Sequence, residues 1–258
     1  MKNSKILMFL GAMVMMIILG GCTEDKKEKI ILGTSADYPP YEFHLVEDGK
    51  DKIVGFDIDI AKEIAKDLGK ELEIKDMDFG GLIAALKSGS VDFVISGMTA
   101  TEERAKEIDF SNIYYSADQG IILKKDLEGK VNSVDDLATL KVGAQRGTLQ
   151  EEIVKSVTPE EQFVGLAKLG DLVMKLKAGE IDAVVVELDV AKAYAKKHED
   201  LAVVDPKYVA DDNGVAVAIK KGNEDLVKSI NTSLERIEKE GLMEEFLLKS
   251  LELSEIEE

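Results

Sequence analysis

The sequence predicts an α/β protein of two similar lobes facing each other across a cleft. Three observations carry this. Short apolar runs of strand type alternate with amphipathic helical stretches along most of the chain. One helix–glycine–strand unit occurs twice. The only long apolar run lies at the extreme N-terminus, ahead of the alternating part.

The alternation begins at Lys29 to Ser35, an apolar run that reads as a strand. Gly55 to Leu68 comes next, with Phe56, Ile60, Ala61, Ile64 and Leu68 at helical spacing and Gly69 as the stop. Glu71 to Lys75 reads as a second strand, Gly81 to Ser88 as a helix, and Val91 to Ile95 as a further strand. Strands joined through helices are expected to run mainly parallel.

The repeat is direct. "LIAALKSGSVDFVI" from Leu82 and "LVMKLKAGEIDAVV" from Leu172 align without a gap at an offset of 90 residues. Leu86, Lys87, Gly89 and Asp92 match Leu176, Lys177, Gly179 and Asp182. Gly33-Thr34 and Gly143-Ala144 occupy the corresponding first strands, 110 residues apart. Helix, glycine cap and strand is a common unit of α/β proteins, but the matched residues favour two related lobes.

In open α/β sheets ligands bind beyond the carboxyl ends of the strands, where helix N-termini point. The repeated strands end at Ser96-Gly97-Met98 and at Val186-Glu187-Leu188. Two threonines and Arg104 come after the first; a carboxylate closes the second. A cleft with a cation on one wall and an anion on the other suits a zwitterion.

Composition narrows the classes. The 258-residue chain carries a formal charge of −18, and losing Lys2 and Lys5 with a leader would take it to −20. Such a surface argues against nucleic acid and against adsorption to anionic lipid. Residues 1–21 read as a signal peptide: a basic start, the apolar run Ile6–Leu19, then Leu19-Gly20-Gly21-Cys22. This end also resembles a bacterial lipobox, which implies lipidation at Cys22 and a tether over 22–28. Cys22 is the sole cysteine, so the exported domain is expected to hold without a disulfide. No Cys/His metal spacing and no phosphate-binding loop is present. Neither a metal nor a cofactor is expected.

Four segments carry a family resemblance: "GTSADYPPYEF", "GFDIDIAKEIAKDLG", "MDFGGLIAALKSGSVDFVISGMTATEERAKEIDFSNIYY" and "VGAQRGTLQEE". From about Ile31 to Gly241 the chain resembles the extracellular solute-binding proteins of polar amino acid ABC importers. The resemblance implies a periplasmic-binding-protein-like fold, two α/β lobes joined by two crossing strands with the ligand cleft between them. Lobe 1 would comprise 29–114 plus 215–258, and lobe 2 118–210. The crossings would lie near Tyr114–Asp118 and Ala210–Gly214, where Asp211, Asp212 and Asn213 suit a polar, flexible return.

The resemblance also assigns roles. Arg104 would hold the ligand α-carboxylate, which a planar, always charged guanidinium fits with two parallel hydrogen bonds. The Thr99 hydroxyl and the Ser96 and Gly97 backbone would complete that end. Thr101 would cap the helix that carries Arg104. Glu187 stands where relatives place an aspartate for the α-ammonium. Thr148 would contact the carboxylate and Gln145 the side chain. Tyr38 and Phe79 would sandwich the side chain, with Tyr41 as packing. Ser35 departs from the aspartate of several relatives, which leaves the side-chain contact open. The directions of Asp37 and Glu42 nearby are not legible. Arginine or lysine is the favoured ligand, with glutamine or another polar amino acid next.

The implied function is a substrate-binding receptor, not an enzyme. It would be monomeric and lipid-anchored at the outer face of the cytoplasmic membrane, at a cell surface or in a periplasm. It would close on a free L-amino acid and pass it to an ABC permease with its ATPase subunits. Two alternatives stay open. A cyclohexadienyl dehydratase uses the same fold, although only His44 and His198 are available and no paired acid and base stand out. A surface adhesin or the input module of a sensor would need no different sequence.

Overall fold

The computed structural model describes residues 27–116, 118–208 and 214–255. The expected leader with Cys22, and Ala210 to Asn213 of the expected return crossing, lie outside them. The chain opens with β1 (Lys29–Thr34), β2 (Asp37–Tyr38), β3 (Glu42–Glu47), β4 (Lys50–Val54) and α1 (Phe56–Asp67). Then come β5 (Glu71–Asp76), α2 (Leu82–Ser88), β6 (Phe93–Val94), α3 (Glu102–Glu107) and β7 (Ile108–Tyr115). The middle of the chain forms β8 (Gln119–Lys124), β9 (Val142–Gln145), α4 (Leu149–Val157), β10 (Phe163–Leu166), α5 (Leu169–Ala178), β11 (Ala183–Glu187), α6 (Leu188–Lys197) and β12 (Leu201–Val204). It ends with β13 (Val215–Lys220), α7 (Glu224–Lys239) and α8 (Leu242–Ser254).

Two five-stranded sheets result, in the orders β5-β1-β6-β13-β7 and β10-β9-β11-β8-β12. Position by position they correspond: β1 with β9, β6 with β11, and β13 with β8. A small antiparallel sheet, β2-β3-β4, belongs to the first lobe. The chain passes from β7 in one sheet to β8 in the other, and from β12 back to β13.

Strand direction differs from the sequence expectation. β1 runs parallel to β5 and β6, but β13 is antiparallel to β6 and β7. The second sheet repeats this, with β9 parallel to β10 and β11, and β8 antiparallel to β11 and β12. The reason is the connection. A parallel neighbour needs a helical crossover, whereas β8 and β13 arrive straight from the other lobe.

The repeated segments fold alike, and each matched residue has a task. Leu82, Leu86, Leu172 and Leu176 are buried without measurable exposure and seat α2 and α5 on their sheets. Gly89 and Gly179 end these helices in the left-handed region, at φ 77° and 75°, which costs glycine no Cβ strain. Asp92 and Asp182 then clasp the neighbouring strand. The Ile31 N–H donates to Asp92 Oδ2 at 2.7 Å and the Lys141 N–H to Asp182 Oδ2 at 2.8 Å. Asp92 takes the place of the early strand residues expected from Val91, and only Phe93 and Val94 pair in the sheet.

The C-terminal helices belong to the first lobe. Arg236 of α7 pairs with Glu63 and Asp67 of α1 at 2.6 and 2.9 Å, and Lys249 of α8 with Asp59 at 2.6 Å. Beneath them lies a core of Leu32, Phe56, Ile60, Ile64, Phe93 and Ile219.

Both clasping aspartates are expected to matter equally. Asp92→Ala and Asp182→Ala should each cost about 1–2 kcal/mol, the worth of a hydrogen bond to a charged acceptor near the surface, read as a lower urea midpoint with unchanged slope.

Candidate functional site

Where the two lobes meet, their strand ends enclose a narrow cavity. Nine of the ten positions expected to touch ligand line it: Ser35, Tyr38, Phe79, Ser96, Gly97, Thr99 and Arg104 from the first lobe, Gln145 and Thr148 from the second. Glu42, Leu149 and Gln150 complete the wall. Glu187 differs from expectation. It is 3% exposed, yet it is not among the lining residues.

At one end stands Arg104. The α3 helix is capped by Thr101, whose Oγ1 accepts the Arg104 N–H at 3.2 Å, so the cap fixes the residue that carries the guanidinium. Arg104 Nη1 donates to the Thr99 carbonyl at 2.7 Å and Nη2 to the Gly147 carbonyl, in the other lobe, at 3.0 Å. The Phe79 ring lies 5.4 Å from the guanidinium carbon. Burial pulls the Arg104 pKa down to about 10, and the group stays cationic at neutral pH. No carboxylate pairs with it among the described residues. Beside it is the N-terminus of α4, where Thr148 Oγ1 accepts the Glu151 N–H at 3.2 Å and donates to the Gln145 carbonyl at 2.7 Å. Glu151 of the first turn of α4 takes the Gly147 N–H at 2.6 Å, so the free positive group at this end is the Arg104 guanidinium, which suits an anion.

At the other end is Glu42, 1% exposed. Its Oε1 accepts from Ser96 Oγ at 2.7 Å, and Ser96 Oγ in turn accepts the Ser35 N–H at 3.0 Å. Glu42 Oε2 is buried with no hydrogen-bond partner. Ser35, which departs from the family aspartate, turns its hydroxyl to Asp37 Oδ1 at 3.2 Å. The carboxylate at this end is thus Glu42. The sequence leaves its direction open because strand alternation puts Glu42 on the side of exposed His44. The start of β3 turns it inward.

Gly97 forms the floor. Its φ is 50°, its N–H donates to Asp57 Oδ2 at 2.7 Å, and a Cβ there would come within 3.3 Å of the Tyr38 ring. Tyr38 stacks on Tyr41 with ring centroids 5.7 Å apart, and Tyr41 lies behind the cavity wall. Glu187 sits behind the same two rings. Its N–H donates to the Tyr38 hydroxyl at 3.2 Å, and its Oε2 is buried without a partner. Burial pushes the Glu187 carboxyl up to about 8. Neither histidine lines the cavity; His44 pairs with Asp51 at 2.9 Å on the first lobe.

A second set of contacts crosses between the lobes. Asp37 Oδ2 accepts the N–H of Leu169, the first residue of α5, at 2.6 Å, and the Asp37 carbonyl accepts from Tyr194 at 3.0 Å. A carboxylate of one lobe therefore caps a helix of the other. Tyr115 donates to Asp189 Oδ2 at 2.8 Å across the crossing strands.

Residues 30–251 match the model of the bacterial extracellular solute-binding proteins, family 3. The chain belongs to that family. It is 43% identical over 230 residues to the arginine-binding extracellular protein ArtP of Bacillus subtilis, covering 88% of each chain. Among solved structures, the amino acid ABC transporter substrate-binding protein AbpA of Streptococcus pneumoniae, bound to L-arginine, superposes with a TM-score of 0.86 at 38% identity. That match covers 89% of this chain and 97% of the other. An ancestral arginine-binding protein bound to glutamine is 40% identical, with a TM-score of 0.79 and coverage of 86% and 97%.

Two outcomes test this geometry. Asp37→Ala removes the cap on α5, and hydrogen exchange at the Leu169 amide should speed up by about tenfold, the worth of one charge-assisted bond. Glu187 titrates higher when folded than its ordinary 4.5. The folded state therefore holds a proton that the unfolded state loses between pH 4.5 and about 8. Stability of the ligand-free protein should fall as pH rises through that window. Glu187→Gln should flatten the fall, read from thermal midpoints at pH 5 to 8.

Proposed function

We propose that this chain is the substrate-binding receptor of an amino acid ABC importer, and that its ligand is a free basic L-amino acid, arginine first. One observation carries the reading. The cavity has a guanidinium without an acid at one end and a buried carboxylate oxygen without a donor at the other. A buried unpaired ionic group is costly. A ligand with a carboxylate head and a cationic tip satisfies both. The arginine-binding names of the relatives fit the same choice.

In this reading Arg104, Thr99, Thr148 and the floor at Gly97 take the α-carboxylate. Tyr38 and Phe79 flank the aliphatic stem, Gln145 lies along it, and Glu42 meets the guanidinium. Ser35 acts through Asp37. Glu187 remains the partner for the α-ammonium, from its place behind Tyr38. Lobe 1 (29–114 plus 215–258) and lobe 2 (118–210) close as units about the two crossings. The ligand then stabilises the closed form, because only there do both lobes reach it. Cys22 is lipidated and holds the receptor at the outer face of the membrane, where the closed form meets the permease. Glutamine is the second ligand to consider, since the ancestral relative holds it and an amide can also meet Glu42.

Calorimetric titration of the chain from Thr23 onward, unfolded and refolded to strip ligand, against each common L-amino acid tests this. Arginine should bind one to one and tightest; binding of no amino acid would sink the receptor reading. Arg104→Ala should weaken arginine by roughly 2–5 kcal/mol, the cost of leaving a buried charge unpaired. Unchanged affinity would remove Arg104 from the site.

A further inference from the structure

Glu42 does not stand alone. Behind it, at the start of α1, lies Asp57, buried without measurable exposure. Asp57 Oδ2 accepts the Gly97 N–H at 2.7 Å and Oδ1 accepts from the Tyr114 hydroxyl at 2.8 Å. Ser96 and Gly97 are adjacent in the chain, and they hold Glu42 and Asp57 respectively. The two carboxyls are thereby held by neighbouring chain positions, and the Asp57 N–H also donates to the carbonyl of Tyr41, the residue before Glu42, at 2.9 Å.

The surroundings supply no compensating cation. Asp37 of β2 adds a further negative charge facing Glu42. From β7 Tyr114 offers a hydroxyl and no charge. Glu187, at the end of β11, adds its own acid behind Tyr38 and Tyr41. Ser96 and Gly97 supply one donor each. Arg104 shares the cavity but bonds to backbone carbonyls at its other end. Two buried carboxylates held on the donors of adjacent residues, with no cation between them, are hard to ionise together, and such a pair tends to keep a proton. Of the two, Glu42 lines the cavity, and its Oε2 is the oxygen without a hydrogen-bond donor.

We propose that Glu42 and Asp57 share one proton, and that the cationic tip of a basic amino acid expels it on binding. The step is a simple ionisation. The carboxylic O–H bond breaks, the proton passes to the buffer, and the guanidinium replaces it as the counter-charge of the pair. Burial, then the Asp57 charge, hold Glu42 well above its ordinary range, and burial raises Asp57 to about 6. The inference rests on the reading that a basic side chain reaches Glu42. It adds that selectivity is set by pH. With the proton in place the pair offers a donor and an acceptor, which suits a neutral amide. With the proton gone it is a dianion, which suits a cation.

Glutamine is the internal control, because it shares the α-carboxylate and α-ammonium with arginine and lacks the charged tip. Any proton released at Glu187 is then common to both ligands. Titration calorimetry of the refolded chain at pH 5.5 to 8.5, in buffers of different ionisation enthalpy, counts the protons. Arginine should release up to about one proton more than glutamine. The ratio of their affinities should shift toward arginine by up to about tenfold per pH unit. Asp57→Asn should abolish the extra proton. A readout without substitution is the carboxyl ¹³C shift of Glu42 and Asp57, which should move from a shared-proton value to two carboxylates as arginine is added. Arginine binding with the same proton release as glutamine, or carboxyl shifts unmoved by arginine, would overturn the proton linkage alone. No arginine binding at any pH would overturn the basic-ligand reading and the linkage with it, while the receptor reading falls only if no amino acid binds.

Discussion

A guanidinium held by carbonyls and by no acid organises the space between the lobes. Arg104 reaches its place because Thr101 caps a helix of six residues and because the Thr99 carbonyl steadies one end of the fork. Its other nitrogen reaches the Gly147 carbonyl of the facing lobe. The first turn of α4 stands beside it, where Glu151 takes the Gly147 N–H, so the guanidinium is the free positive group at this end of the cavity. Everything opposite answers this charge. Glu42, Asp57 and Glu187 are buried acids without a cation of their own among the described residues. The field runs from one end of the cavity to the other, which is the polarity that the proposed ligand, a zwitterion with a basic tip, would match.

The duplicated unit explains how two separate sheets come to present matching edges. In each lobe a helix stops at a left-handed glycine, an aspartate clasps the neighbouring strand, and the next strand runs toward the cleft. The same residues thus set the register of β6 on β1 and of β11 on β9. Beyond the strand ends the lobes diverge. After β6 come small residues and hydroxyls, which let a ligand approach the backbone. β11 itself ends in Glu187 and leads straight into a helix. One scaffold repeated, with different residues at the strand ends, yields two unlike walls.

Closure carries its own contacts. Asp37 caps α5 across the cleft, and Tyr115 and Asp189 meet beside the crossing strands. These bonds are made between lobes and touch the groups that hold a ligand in the proposed arrangement only through Asp37, which meets Ser35 and Gln145. They stabilise the closed form for any occupant. In the proposed arrangement, discrimination among occupants falls to Glu42 and its neighbour.

The nine residues that line the cavity came through the family resemblance, whereas the sequence by itself determined the α/β class, the repeat, the positions of α1, α2 and their glycine stops, and the cap at Thr101. These rest on local rules, spacing and motif, which a linear reading captures. It missed the antiparallel half of each sheet, because strand direction depends on which lobe the chain has just left. It left Glu42 without a role, because alternation along β3 speaks for its exposure while the turn at the strand start buries it. It set Glu187 on the wall, whereas Tyr38 and Tyr41 stand in front of it. The pairing of Glu42 with Asp57 joins a strand end to a helix start through Ser96 and Gly97, residues distant in the chain. Such a pair is decided only by tertiary structure, since burial and the nearness of two charges are properties of packing and have no local pattern.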